Sequence, residues 1–238
     1  MTFWGYLSSL GLICVILGAL YLTKLALQQQ EREQTKKHRV RELHSELVDL
    51  DEIVNTLLIY DLDVELINSM LRYMNDKVQI GLKILPDSEE LLLELKDIDR
   101  LFAKSQALLN EPKAPGIPSS DRQIFIVKRH FVRSMKLIKQ LQGEGYFDDM
   151  ASSDHRSRLI RKALLVEVDA YQLQGDNAYK SGEISSAANF YKHAKELLIG
   201  SDLRFPEKTQ YIKNLSKKIS GLYETLPDDK NTDKDSGG

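Results

Sequence analysis

The chain has 238 residues, of which 42% are hydrophobic and 29% charged, so it has enough apolar material for one or two folded domains. Its formal net charge of −2 excludes an overall positive field that would attract nucleic acid. The single cysteine, Cys14, excludes an internal disulfide framework.

An uncharged apolar segment, Phe3 to Thr23, stands near the start of the chain. About 20 apolar residues are enough for a helix to cross the hydrocarbon core of a membrane, so we predict a transmembrane anchor over residues 1–27. A cleaved secretory signal is the alternative, but no lysine or arginine precedes the segment and it is longer than a typical signal core. Basic residues follow it, which predicts a single-pass protein with its N-terminus outside and its C-terminal domain in the cytoplasm.

A juxtamembrane helix is predicted over residues 28–60. Its first part is basic, which suggests either contact with anionic lipid headgroups or a solvated flank. The candidate lipid contacts are Lys36, Lys37, Arg39 and Arg41. Apolar residues then recur in steps of three and four from Val40 to Leu57, which is typical of a coiled-coil-like seam. Because the repeat is short, we favour packing in a helical bundle over self-association.

An acidic helical hairpin is predicted over residues 61–110. Asp61 or Asp63 can cap its first helix, which ends before Pro86, and Asp87 with Glu90 has the spacing of a capping box for the second. Three prolines then mark residues 111–120 as a linker.

A basic amphipathic helix and a loop are predicted over residues 121–153, with Ser120 and Gln123 as a second capping-box pair. Glu42–Asp99 holds fifteen acidic and four basic residues, whereas Asp121–Lys162 holds ten basic and five acidic residues. This asymmetry indicates either segments that neutralise each other or a platform for anionic lipid or nucleic acid. The candidate platform residues are Lys128, Arg129, Arg133 and Lys136.

A helical domain over residues 154–226 and a disordered tail over residues 227–238 complete the chain. No convincing alternating strand pattern occurs in the sequence. We therefore predict an all-α protein, with a transmembrane helix followed by a cytoplasmic helical bundle that ends in a helical hairpin and a capping helix.

The hairpin is predicted from small residues at helical spacing. Small residues let two helices approach closely, tyrosines fill the neighbouring gaps, and Gly182 supplies the turn because glycine accepts a positive φ. The predicted packing residues are Tyr171, Gly175, Ala178, Gly182, Ala187, Tyr191 and Ala194.

This pattern resembles a single tetratricopeptide repeat at about 168–201, with a helix at about 206–226 that resembles a capping helix. Three positions depart from the family's usual pattern, where Gln174 replaces leucine, Ala178 replaces tyrosine and Ile199 replaces proline. A three-helix module of the microtubule-interacting-and-transport type is similar as well, and one repeat does not separate the two.

The resemblance implies a surface that binds peptides or helices and a fold without catalysis. The candidate groove residues on this basis are Asn177, Lys180, Ser181 and Asn189, with ordinary solvated helix positions as the alternative.

No catalytic or cofactor-binding constellation is evident in the sequence. The five histidines are scattered, the only thiol lies in the predicted anchor, and no glycine-rich phosphate loop is present. We interpret the pairs Asp61 with Asp63 and Asp148 with Asp149 as caps and loop residues. We expect no metal and no cofactor.

The sequence favours a single-pass membrane-anchored adaptor that binds protein partners through its repeat-like domain. The alternative is a membrane-tethered protein that binds anionic lipid or nucleic acid through the basic helix, although a nucleic-acid partner is disfavoured. An enzyme of unrecognised type is the third interpretation, and self-association is a further option.

Overall fold

The protein is all-helical over the residues that the computed structural model describes, which are 2–224 for the backbone and 20–222 for the side chains. This range contains seven helices and no strand, which confirms the all-α prediction. The helices are α1 (Thr2–Tyr60), α2 (Val64–Ile84), α3 (Glu89–Asn110), α4 (Asp121–Gly143), α5 (Asp149–Lys180), α6 (Ile184–Gly200) and α7 (Lys208–Glu224). The predicted disordered tail, 227–238, lies outside the described residues.

The predicted transmembrane anchor is contradicted. Across the described part of the chain, no helix combines the length and the apolar composition that a membrane crossing requires. From residue 20 onward α1 reaches a charge at Lys24 and a dense run of charges after Glu31, which leaves no apolar stretch of about 20 residues. The side chains of residues 1–19 lie outside the described residues. The single-pass topology, the outside N-terminus and the cytoplasmic C-terminal domain depended on the anchor and are corrected with it.

The chain divides into two compact units. The first unit comprises Met1–Leu50 and Met74–Arg100, and the second comprises Asp51–Tyr73 and Leu101–Gly238. Because the boundaries fall inside helices, α1, α2 and α3 each contribute to both units.

The first unit buries the part of the apolar seam of α1 that runs from Val40 to Leu50. Val40, Leu47 and Leu50 of this seam are buried, as are Val78 of α2 and Leu91 of α3. A Cβ added to Gly81 would lie only 2.6 Å from Cδ1 of Leu91, so α2 and α3 approach closely here. The seam therefore packs inside a bundle.

Helix starts follow local capping chemistry. Asp63 caps α2 and Asp148 caps α5, with Asp148 Oδ1 accepting from the Ala151 amide at 2.7 Å. Ser120 Oγ accepts from the Gln123 amide at 3.4 Å, while Gln123 Oε1 accepts from the Ser119 amide at 2.9 Å. The two residues thus cap the start of α4 from both directions.

The start of α3 differs from the prediction by one residue. Ser88 Oγ, and not a side-chain oxygen of Asp87, accepts from the Leu91 amide at 3.5 Å. The serine is buried while Asp87 is exposed, so the hydroxyl lies closer to the open amides of the first turn.

The proline-rich segment 111–120 is free of helix but is attached to the end of α1. The amide of Gly116 donates to the carbonyl of Ile59 at 2.8 Å, and Pro118 is buried. A Cβ at Gly116 would lie 2.8 Å from Cγ2 of Ile59, so glycine permits this approach.

Helices α5, α6 and α7 end the second unit as a hairpin followed by a third helix. Gly182 has φ +79° in the turn, and the amides of Gly182 and Glu183 donate to the carbonyls of Tyr179 and Ala178, which is the glycine-dependent way to end a helix. The three helices share a core of Val168, Ala178, Ala187, Ala188, Tyr191, Ala194, Leu198, Leu215 and Leu222.

Candidate functional site between α5 and α7

The ring of Tyr191 on α6 lies against the backbone of Gly175 on α5. A Cβ at Gly175 would meet Cε1 of Tyr191 at 2.5 Å, a separation that real Cβ contacts do not show. Ala187 and Ala194 are fully buried along the same face of α6. Small residues thus bring α5 and α6 together, and the absence of a side chain at Gly175 leaves room for the ring of Tyr191.

A carboxylate on α5 links three helices. Asp176 Oδ1 accepts a hydrogen bond of 2.6 Å from the hydroxyl of Tyr191 on α6 and a second bond from the ammonium of Lys218 on α7. The Lys218 Nζ also lies 5.2 Å from the centre of the Tyr191 ring, within range of a cation–π attraction. The Asp176, Tyr191 and Lys218 side chains, here called the three-helix link, fix the spacing of α5 and α7.

The charged and polar groups of the three-helix link keep their protonation states near neutral pH. Burial raises the pKa of Asp176, but hydrogen bonds from Lys218 and Tyr191 outweigh burial, and the pKa lies below its ordinary value. Burial and the bond to Asp176 raise the pKa of Tyr191 far above its ordinary value. Because neither group titrates near neutral pH, the link suits positioning and not proton transfer.

A cavity of about 530 Å³ opens between α5 and α7 beside this link, a size within the usual range of binding pockets. It is called the α5–α7 groove here. It is lined by Gln172, Asp176, Tyr179, Tyr191, Asn214, Lys217, Lys218, Gly221 and Leu222. Carboxamides and lysines therefore surround an aromatic surface, of which Tyr179 is 44% exposed.

The groove residues predicted from the sequence are exposed but lie elsewhere. None of Asn177, Lys180, Ser181 and Asn189 lines the α5–α7 groove. The residues that do line it on α5, Gln172, Asp176 and Tyr179, follow the helical spacing of four and three. The sequence does not indicate these residues, because a capping role for the last helix predicts no groove between it and α5.

The remaining predicted packing residues lie at the contact between α5 and α6. Tyr171 stacks on Phe190, with ring centres 6.4 Å apart, and meets the His193 ring edge-on at 4.4 Å. Ala178 is buried in the shared core, and Gly182 lies in the turn.

The predicted basic residues on α4 are only partly available to a ligand. Lys128 pairs with Glu167 on α5 at 2.5 Å, and Arg133 also interacts within the chain. Arg129 and Lys136 are exposed. The platform thus has two exposed charges beside two engaged ones.

The candidate lipid contacts on α1, Lys36, Lys37, Arg39 and Arg41, are all exposed. Lys36 pairs with Glu33 at 2.9 Å, one turn earlier in the helix.

A buried charged cluster, which the sequence did not predict, lies at the turn between α1 and α2. Arg158 Nη2 of α5 donates to Asp61 Oδ2 at 2.9 Å and also to Asp63 Oδ2. His155 Nδ1 lies 2.8 Å from Asp63 Oδ2. Between the two aspartates, Leu62 has φ +63°, which is rare for a residue with a side chain. We name Asp61, Asp63, His155 and Arg158 the turn clamp.

Burial raises the pKa of Asp61, and the charge of Arg158 opposes this rise. The turn clamp therefore holds a buried carboxylate next to a strained backbone position, and the charge of Arg158 offsets part of the cost of that burial.

Within the described part of the chain, no three histidine, cysteine, aspartate or glutamate side chains are grouped so as to hold a metal ion. The resemblance of the hairpin to a tetratricopeptide repeat stays a prediction. No protein-family model, no curated protein and no solved structure matches this chain.

Proposed function

We propose that α5, α6 and α7 form a protein-binding module and that the α5–α7 groove accepts a segment of a partner protein. The observation that carries this proposal is the groove of about 530 Å³, lined by an exposed tyrosine, two carboxamides and two lysines. The polar groups can pair with the backbone and side chains of a peptide, while Tyr179 offers apolar surface.

The chemistry of the groove favours binding over catalysis. Tyrosine is enriched among the residues that dominate protein interfaces, because it offers a large rigid surface with one polar end. The three-helix link holds α5 and α7 at a fixed distance, so the groove needs little ordering when a partner binds. The pKa of Asp176 is lowered and the pKa of Tyr191 is raised, so neither residue is suited to exchange a proton near neutral pH.

The tetratricopeptide resemblance adds independent support. In that family the inner surface binds peptides or other helices, and a groove between neighbouring helices such as α5 and α7 is the kind of surface that such a role needs. The proposal stands without the family, because it rests on the α5–α7 groove and its lining residues.

Photo-crosslinking in the full-length chain tests the site. A photoreactive amino acid at Tyr179 should form adducts with a partner in cells, whereas the same residue at exposed Asn189 on α6 should not. Lys217→Glu should reduce the Tyr179 adduct by about fivefold or more, since interface residues that matter contribute more than about 1 kcal/mol. Lys213→Glu, an exposed lysine on the same helix outside the groove, is the matched control. Equal adducts from both positions would contradict the proposal.

A second candidate function is binding of an anionic partner, nucleic acid or lipid headgroups, at α4. It is favoured by Phe125, which is 66% exposed and lines a cavity of about 510 Å³ together with Arg129. Bases stack on such rings, and released counterions make this binding salt-dependent. A labelled single-stranded oligonucleotide should bind more weakly at about 200 mM than at about 50 mM salt, and Phe125→Ala should weaken it further. Absence of binding at the lower salt would exclude nucleic acid.

A further inference from the structure

A third cavity, of about 460 Å³, lies where the first half of α5 meets the segment that joins α6 to α7. It shares no lining residue with the α5–α7 groove. Three arginines line it, Arg158 and Arg161 from α5 and Arg204 from the joining segment. We call it the arginine cavity.

The arginine cavity has a positive lining. Arg158 is held by Asp61 and Asp63 through Nη2, which leaves the N–H groups on Nη1 and Nε to donate elsewhere. Arg161 and Arg204 form no ion pair with any carboxylate among residues 20–222. Asp154 is the one acidic residue of the lining. The lining therefore carries the positive charges of Arg161 and Arg204, which have no ion pair in the described part of the chain, against the single negative charge of Asp154.

The walls of the cavity are held in place before any ligand arrives. Lys208 Nζ donates to the carbonyl of Ser201 at 2.6 Å and to that of Leu203 at 3.1 Å. The amide of Leu203 donates to Ser201 Oγ at 3.2 Å. These bonds order the segment that carries Arg204, while the turn clamp orders Arg158 of α5.

The cavity also has an apolar side, formed by residues such as Ile160 and Phe205. Ile160 is 40% exposed, although it is a large aliphatic side chain. A ligand that places a charged group on the arginines can thus bury an apolar or aromatic body on the same walls.

We propose that the arginine cavity binds a small phosphate monoester, with its phosphate on Arg161 and Arg204 beside Arg158 and its organic body against Ile160 and Phe205. The planar guanidinium fork matches phosphate oxygens in pairs. A phosphate monoester carries about 1.5 to 2 negative charges near neutral pH. It therefore balances the charges of Arg161 and Arg204 better than a ligand with one carboxylate would. The volume lies within the range of small-molecule sites.

Calorimetric titration of the full-length chain with phenyl phosphate tests the proposal, with inorganic phosphate as the second probe. Phenyl phosphate should bind saturably at one site and more tightly than inorganic phosphate. Arg161→Gln and Arg204→Gln should each weaken its binding by about tenfold or more, since each removes charge-assisted hydrogen bonds. Asp154→Asn should tighten it by roughly twofold or more, because a repelling charge is lost.

Arg156→Gln is the matched control, since Arg156 is exposed on the same helix and does not line the cavity. It should leave the affinity unchanged. Arg161→Lys and Arg204→Lys keep the charge but lose the fork, so each should bind more weakly than the wild type. Unchanged melting temperatures would establish that the variants are folded.

Two results would overturn the proposal. One is the absence of saturable binding of either probe, and the other is an equal loss of affinity in Arg156→Gln and Arg161→Gln. Inorganic phosphate that binds as tightly as phenyl phosphate would overturn the role given to Ile160 and Phe205.

Discussion

Gly175 and Asp176 are neighbours on α5, yet sequence reasoning reached only the first. The spacing of small and aromatic residues predicts that Gly175 faces the next helix, and the structure places it against Tyr191. The role of Asp176 depends on Lys218, which is 42 positions away on α7. Periodicity indicates which face of a helix is buried, but it does not identify the partner of a polar residue on that face.

The closeness of Gly175 to Tyr191 leads to a prediction on stability. Gly175→Ala should lower the free energy of unfolding by about 1–3 kcal/mol, because the added methyl displaces a packed ring. Gly221→Ala on α7 is the matched control, because nothing lies within 4 Å of its added Cβ. It should raise stability by about 0.5–1 kcal/mol through helix propensity. Urea denaturation measures both, and a loss of the same size in both variants would contradict the packing argument.

Among the residues of the turn clamp, replacement of Arg158 should lower the free energy of unfolding most. The side chain of Asp61 has no exposed surface, so Arg158→Gln leaves a buried carboxylate without its cation. We expect a loss of about 3–5 kcal/mol in the free energy of unfolding, against about 0.5 kcal/mol or less for Arg156→Gln.

The double variant Asp61→Asn with Arg158→Gln tests the cause of that loss. It should recover part of the stability, because it removes the unpaired charge together with the arginine. Denaturation of the two single variants and the double variant gives the coupling free energy. A double variant as unstable as the sum of the single ones would assign the effect of Arg158 to packing alone.

Among the elements, helix positions could be predicted better than helix partners. Capping residues predicted the starts of α2 and α4, since a cap acts within one turn of its own helix. The start of α5 was predicted wrongly, because the helix begins at Asp149, inside the loop predicted to extend to residue 153. The sequence does not predict that α1, α2 and α3 are each shared between two compact units, because this division depends on contacts between distant segments. The anchor predicted over residues 1–27 is wrong, because no helix among the described residues has the length and apolar composition that a membrane crossing requires.

The segment between α6 and α7 should depend on one lysine. Lys208→Met keeps most of the aliphatic stem but leaves the carbonyls of Ser201 and Leu203 without their donor. We expect a loss of about 1–2 kcal/mol and faster amide hydrogen exchange over residues 201–207. Lys213→Met, on an exposed position of α7, should change neither quantity. Unchanged exchange in Lys208→Met would show that other contacts order this segment.

For the whole molecule, two buried or half-buried carboxylates should make stability respond to pH in opposite directions. Burial raises the pKa of Asp61 above the ordinary 3.8, so the folded state binds this proton more tightly than the unfolded chain does. Its contribution is full below about pH 4 and is lost as the pH rises through the folded pKa. The pKa of Asp176 is lowered, so its contribution is present above the ordinary value and is lost as the pH falls through the folded pKa.

Urea denaturation from about pH 3 to about pH 7 separates the two carboxylates when each is replaced by asparagine. The stability of the wild type relative to Asp61→Asn should fall as the pH rises from about 4, because only the wild type must bury a charge there. Relative to Asp176→Asn it should fall as the pH drops below about 4, because protonation then removes the negative charge that attracts Lys218. If the wild type and Asp61→Asn gave parallel profiles, Asp61 would titrate alike in both states, and Arg158 would compensate fully for its burial.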